Sequence, residues 1–232
     1  MATQTVYQFY AELEGYKPKM WRRFQVASDI TVARLGYIIM TMYEMKASHL
    51  MSVEHERPLL TRTGRLSKRM EVIGRYDIPS DNAWAVMMGE DATKTELSQV
   101  DLAVPSRLTV WYDFGDDWRV WATLEKTIEE SELPDTQLPC VLEGKGLGII
   151  EDSGGVLGLA EIAGVLKEKK GKTYKQVCKW LGVDALDMAA FDLDDMNFRL
   201  KKIPDIYAKI YEQKKYPTQA DISLIERKYL QK

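Results

Sequence analysis

Between Thr5 and Glu14 the chain alternates. Tyr7, Phe9, Ala11 and Leu13 fall on one side, and Gln8, Tyr10, Glu12 and Glu14 on the other. A period of two predicts a half-buried strand. Gly15-Tyr16-Lys17-Pro18 then turns the chain, and Trp21–Val26 reads as a partner strand with Phe24 and Val26 facing inward. The two strands predict a hairpin. After Ser28-Asp29, which offers a cap, Val32, Leu35, Ile39, Met42 and Tyr43 recur every three or four residues, which predicts an amphipathic helix of about three turns. Ala47–Val53 is a short strand candidate carrying His49. The polar, basic stretch Glu54–Gly74 has no clear period and reads as a loop or hairpin. Trp84–Met88 is another strand candidate.

The sharpest local signal lies further on. Leu108, Val110 and Tyr112 alternate with Thr109, Trp111 and Asp113, and Trp118, Val120, Ala122 and Leu124 alternate with Arg119, Trp121, Thr123 and Glu125. Phe114-Gly115-Asp116-Asp117 between them completes a hairpin. Glu129–Pro139 reads as an acidic loop and Glu143–Gly155 as a Gly-rich segment. Helical spacing then takes over: Leu159, Ile162, Ala163 and Leu166 in one helix, and Val177, Trp180 and Leu181 in a second that Gly182 terminates. A short helix over Phe191–Leu200 follows. Pro204 stands where a first helical turn tolerates it, and Thr218-x-x-Asp221 forms a variant capping box before Ile222, Ile225 and Tyr229. Strands therefore fill residues 5–128, and helices fill 31–44 and 154–230. This segregation predicts an α+β fold, a mostly antiparallel sheet packed against helices. We expect residues 1–200 to form one domain and 201–232 a helical extension packed on or beside it.

Composition narrows the function classes. With 45% hydrophobic and 29% charged residues the chain is an ordinary globular one. No apolar run approaches the roughly 20 residues a membrane-spanning helix needs. The N-terminus lacks a signal-peptide pattern, so a cytoplasmic protein without membrane partners is expected. Two distant cysteines, Cys140 and Cys178, fit a reducing compartment and small buried side chains. Charge is uneven: residues 77–165 carry 18 acidic against 5 basic side chains, a net −13, and the rest of the chain carries +10. Such a split can steer a charged partner.

Several catalytic signatures are absent. With only His49, His55 and the two cysteines there is no zinc-finger spacing and no His-Glu-x-x-His, so we expect no structural metal. Gly171-Lys172-Thr173 lacks the upstream glycine of a phosphate loop, because position 166 is leucine. Gly144-Lys145-Gly146-Leu147-Gly148 has the wrong spacing for a dinucleotide site, and no cofactor is expected. What remains is carboxylate clusters. Asp113, Asp116 and Asp117 lie at one turn, Glu143, Glu151 and Asp152 form a second group, and Asp192, Asp194 and Asp195 a third. Two groups meeting could hold a divalent cation for hydrolysis, with Asp113, Asp116 and Glu151 as ligands and His49 as acid or base. Aspartates also serve simply as turn and cap residues. For binding, Trp21, Arg22, Arg23, Arg65, Arg69 and Trp118 are the candidates, basic side chains with aromatics near them that could meet nucleic acid. The sequence pI of 5.6 argues against a dedicated nucleic-acid binder.

Strings in order along the chain carry a family resemblance: Trp21-Arg22-Arg23, Asp29-Ile30-Thr31, Ser48-His49-Leu50, Tyr112-Asp113-Phe114-Gly115-Asp116-Asp117-Trp118, Leu138-Pro139-Cys140, Glu151-Asp152-Ser153-Gly154-Gly155, Trp180-Leu181-Gly182 and Phe191-Asp192. Over about residues 5–200 the chain resembles the plasmid pRi open-reading-frame-3-like proteins, also known as passenger proteins of insertion elements. The resemblance implies an α+β domain and an association with plasmids, phages or transposons, and it implies no reaction. Relatives carry further cysteines near the Gly-Gly string, where this chain has Gly148 or Ile149 and Ser153, so a cysteine metal role does not carry over. Within these strings Gly115 and the aspartates suit a tight turn, Trp21 would pack on the core, and Arg22 or Arg23 would pair with Asp113 or Asp116. The leading expectation is a mobile-element interaction protein that binds a protein or nucleic-acid partner through charged faces. The alternative is a metal-assisted hydrolase or nuclease.

Overall fold

The structure is a computed structural model that describes residues 4–79, 89–131 and 137–227. Among the described residues eight strands form one sheet: β1 (Gln4–Leu13), β2 (Trp21–Ala27), β3 (Met51–Leu60), β4 (Leu66–Asp77), β5 (Glu90–Asp91), β6 (Arg107–Tyr112), β7 (Trp118–Ser131) and β8 (Cys140–Lys145). Their spatial order is β5-β4-β3-β6-β7-β1-β2-β8, antiparallel throughout except for the short β4–β5 pair. The described residues also form six α-helices: α1 (Val32–Met42), α2 (Gly155–Glu168), α3 (Gly171–Leu181), α4 (Leu193–Leu200), α5 (Ile203–Tyr211) and α6 (Gln219–Ile225). The α+β expectation holds, with strands early and most helices late.

Alternation places Phe9, Phe24, Val26, Val53, Val110, Tyr112, Trp118 and Val120 in one continuous core against the helices. Each such large apolar side chain taken from water contributes about 1.5–3 kcal/mol. Helix α1 is the centre of this core. Its cap is Thr31, whose Oγ1 accepts from the Arg34 N–H at 3.1 Å, and not the Ser28-Asp29 pair. Ten of its eleven residues are buried, so it is enclosed on every side and is not the half-exposed amphipathic helix its spacing predicts. Gly36 permits this: a Cβ there would lie 2.5 Å from Met51 Cε of β3. Helices α4 and α5 pack on α1. Ile203, Ile206, Tyr207 and Tyr211 of α5 and Ile225 of α6 share the same core.

Other local expectations shift. His49 is not on a strand; β3 begins two residues later. Of the two alternatives for Glu54–Gly74, loop or hairpin, the hairpin is the one formed: the stretch is most of β3–β4. Beyond Glu56↔Arg107 on one side and Tyr76↔Glu90 on the other, this hairpin has no neighbouring strand among the described residues. It continues as a two-stranded ribbon closed at Thr61–Arg65, where the Thr61 N–H donates to the Arg65 carbonyl at 2.8 Å. Strand β7 runs through to Ser131, into the stretch read as an acidic loop. The strand candidate Trp84–Met88 lies outside the described residues. Gly182 does end α3 in the left-handed conformation, and Thr218 with Asp221 forms the capping box of α6.

Candidate metal centre

Three chain segments meet at one end of the sheet. The first is the connection from α1 to β3, which turns through left-handed residues at Glu44 and Ala47. Two tyrosines of α5 hold its backbone: the Tyr207 hydroxyl donates to the Met45 carbonyl and the Tyr211 hydroxyl to the His49 carbonyl. Burial pushes both phenols up, so both remain donors at neutral pH. The second segment is the β6–β7 turn. Asp113 adopts a left-handed φ of 52°, and its Oδ1 accepts from the Gly115 N–H at 3.1 Å. Its other oxygen, Oδ2, lies 3.5 Å from His49 Nε2. The third segment follows β8 and carries Glu151.

Glu151 is the most constrained of the three. Its Oε1 accepts from the Lys46 N–H at 2.7 Å and from the Tyr112 hydroxyl at 2.8 Å. Tyr112 also accepts from the Ser48 N–H at 3.2 Å, and its ring meets the His49 ring edge-on at 5.7 Å. Oε2 of Glu151 is buried and has no hydrogen-bond partner among the described residues. It lies 3.7 Å from His49 Nε2. Desolvation raises the Glu151 carboxyl above the usual range, against the opposing pull of the Lys46 N–H and Tyr112.

His49, Asp113 and Glu151 thus present one nitrogen and two carboxylate oxygens, all within 4.8 Å of one another. The separations from His49 exceed an ordinary hydrogen bond of about 2.7–3.2 Å. They approach the spacing of roughly 3–3.5 Å between ligands that each sit about 2.1 Å from a shared ion. One imidazole with two carboxylates is a donor set for a divalent cation of intermediate hardness, such as Mn²⁺ or Zn²⁺. The Tyr112 and Lys46 bonds to Oε1 leave Oε2 directed at the centre, in the way outer-shell partners orient metal ligands. The His49 side chain is about one-third exposed, at 35%, so the centre opens to solvent on that side.

Of the four catalytic candidates, the fold brings His49, Asp113 and Glu151 together. Asp116 stands apart: its Oδ2 accepts from the Gly154 N–H at 3.2 Å and ties the β6–β7 turn to the start of α2. Gly155 makes that approach close, since a Cβ there would lie 2.6 Å from the Asp116 carbonyl oxygen.

The six binding candidates do not converge. Trp118 is completely buried. Trp21 lies on the sheet face away from the helices, stacked on Tyr10 at 5.5 Å, and not in the core. Arg23 shares that outer face and pairs with Glu125 at 2.7 Å and with Glu143, not with Asp113 or Asp116. Arg65 and Arg69 are exposed on the β3–β4 ribbon.

Arg22 is wholly interior. Its Nη1 donates to the carbonyls of Trp21 and Lys145 at 2.8 Å each, and its Nη2 to those of Met42, Gly146 and Leu147 at 3.1, 2.6 and 2.9 Å. The guanidinium also lies over the Phe191 ring, 4.4 Å from its centroid. Desolvation holds its pKa down to about 10, which still leaves it cationic at neutral pH. It is a strut joining the end of α1, the end of β8 and the segment after it. Sequence reasoning does not single out the outer-shell groups, Tyr112 and the α5 tyrosines. Tyr112 is legible only as an inward-facing strand residue, and nothing in α5 marks its tyrosines as partners of the His49 loop.

A broad, open, mostly antiparallel sheet with helices on one face and a His–Asp–Glu cluster at its end defines an α+β protein with a candidate divalent-cation centre. Residues 5–197 match the model of the plasmid pRiA4b ORF-3-like proteins, and the chain belongs to that family. The chain is also similar to the crystal structure of MM3350, a protein of unknown function from Methanosarcina mazei Go1, with 29% identity and a TM-score of 0.66 over 84% of this chain and 98% of that one. No curated protein matches it. Among the described residues no helix is long and apolar enough to cross a membrane.

Proposed function

We propose that the protein is a metal-assisted hydrolase whose centre is His49, Asp113 and Glu151. The observation that carries this reading is Glu151 Oε2, a buried carboxylate oxygen without a hydrogen-bond partner among the described residues that faces a histidine nitrogen and a second carboxylate. A carboxylate held this way costs stability unless a cation or a proton completes it. Three protein ligands leave coordination positions open, which is the arrangement of catalytic rather than structural sites. There a cation lowers the pKa of a bound water and polarises the group the resulting hydroxide attacks. The test is calorimetric titration with Mn²⁺, Zn²⁺ and Mg²⁺, followed by assay of phosphodiester and ester hydrolysis with the bound ion. Absence of binding by all three ions removes the proposal.

A second reading, favoured by a separate observation, is binding of an anionic macromolecule. The ribbon beyond the sheet carries Arg57, Arg62, Arg65, Lys68 and Arg69 against the single acid Glu71, and all six side chains are exposed. A two-stranded ribbon is narrow enough to enter the major groove of a DNA duplex. On a mobile element such a surface would engage host or element nucleic acid. Fluorescence anisotropy with labelled duplex and single strands at low and near-physiological salt tests it, and no binding at low salt would exclude it.

A further inference from the structure

One apolar opening among the described residues lies away from the His49 cluster and shares no residue with it. It sits where the β1–β2 turn, the end of β8, the C-terminal half of α2 and the segment before α4 approach one another, and its volume is about 480 Å³. That is within the range of small-molecule sites, about 300–1,000 Å³. Tyr16, Pro18, Met20, Leu166, Leu186 and Met188 supply apolar walls. Met20 and Leu166 are almost entirely buried, so these walls are part of the core and not a loose surface. Gly146, with φ of 84°, closes one side: a Cβ on it would lie 2.8 Å from Met20 Cγ.

The rim carries a second kind of chemistry. Lys19, Lys145, Lys167 and Lys169 surround the opening, against one acid, Asp187. Lys19 is committed to Glu12 at 2.6 Å. Asp187 is committed to its own turn, where its Oδ1 accepts from the Ala189 N–H at 2.9 Å. Lys145, Lys167 and Lys169 make no ion pair among the described residues. An apolar cavity under three unpaired ammonium groups fits a ligand with an apolar body and a negative head. We propose that this cavity is a binding site for a small anionic amphiphile, an aliphatic chain with a carboxylate head, with the chain against Met20 and Leu166 and the head at Lys145 and Lys167. The site stands whether or not the His49 centre holds a metal.

The test uses the full chain and the fluorescent probe 11-(dansylamino)undecanoic acid, displaced in turn by dodecanoate and by dodecanol. We expect saturable binding at one site and displacement by dodecanoate. Dodecanol should compete at least about tenfold more weakly, the ratio that 1.4 kcal/mol of head-group interaction gives. Two variants separate tail from head: Ala163→Trp fills the cavity from α2 and should abolish binding, and the pair Lys145→Glu with Lys167→Glu should weaken dodecanoate while leaving dodecanol unchanged. Circular dichroism confirms that each variant folds, and the lysine pair, being at the rim, keeps the test open should Ala163→Trp fail to fold. Equal competition by dodecanol, unchanged binding in folded Ala163→Trp, or association only with anionic vesicles and not with the monomeric probe would overturn the proposal.

Discussion

Glu151→Gln separates a ligand from a structural side chain. Glutamine keeps the acceptor that takes the Lys46 and Tyr112 bonds and replaces the unpaired Oε2 with a neutral amide nitrogen. Without metal, the substitution should leave the melting temperature unchanged or raise it, because it removes a buried carboxylate charge whose Oε2 accepts no hydrogen bond among the described residues. With metal at 100 times its dissociation constant the native protein gains about 2.7 kcal/mol. In a chain of 232 residues, each kcal/mol moves the midpoint by about 2–4 °C, so the shift should be roughly 5–10 °C. The variant should show almost none of it.

The pH dependence gives an independent sign. Burial raises the folded carboxyl pKa, so the apo native state holds its proton more tightly than the unfolded chain. The contribution of Glu151 to apo stability is therefore greatest below the ordinary value of about 4.3 and declines as pH rises through the raised value. Metal affinity should climb over the same window, because the proton must leave. Differential scanning fluorimetry across pH, with and without Mn²⁺ or Zn²⁺, reads both effects. Equal metal shifts in the two proteins, or a glutamine variant less stable by more than about 2 kcal/mol without metal, would make Glu151 a structural residue and not a metal ligand.

Three more expectations follow from the geometry. Tyr112→Phe removes an orienting bond to Glu151 and should weaken metal binding by about 10–100-fold, measured by calorimetry, with the fold retained. Arg22→Leu orphans the carbonyls of Met42, Gly146 and Leu147 and should cost at least about 3 kcal/mol in urea unfolding; a loss below about 1 kcal/mol would contradict its role as a strut. If the ribbon binds duplex DNA, Arg65→Glu with Arg69→Glu should lower the slope of log affinity against log salt by about 0.9 for each phosphate the variant no longer neutralises.

Much of the sheet is legible in the sequence because one face is buried. Alternation places Phe9, Ala11 and Leu13 inside, and it separates the two strands of the β6–β7 hairpin correctly. The same period that puts Phe24 and Val26 inside also puts Arg22 there, but its charge argues for the surface. Only the carbonyl-lined interior explains how the core accepts it. The β3–β4 ribbon is legible only as a choice between loop and hairpin, for the opposite reason. Both its faces meet solvent, so its polar and apolar residues follow no period. Helix α1 reads as amphipathic because spacing reports its strongest face and not how many elements will surround it. At the site, His49, Asp113 and Glu151 each stand out as candidates, while Asp116 is grouped with Asp113 by proximity in sequence. Which of them meet is decided by three segments that only the folded sheet brings to one end.

The tyrosines of α5 grip the His49 segment by its backbone carbonyls and leave its side chains alone. The path of that segment and the chemistry it displays are therefore set by different residues. A relative could exchange the side chain at position 49 and keep the loop where it is, so one scaffold can trade one donor set for another by single substitutions. The clamp itself lies beyond the residues that match the family model, in α5. A protein cut at the family boundary would keep all three candidate ligands in its sequence and lose the anchor that sets the position of one of them.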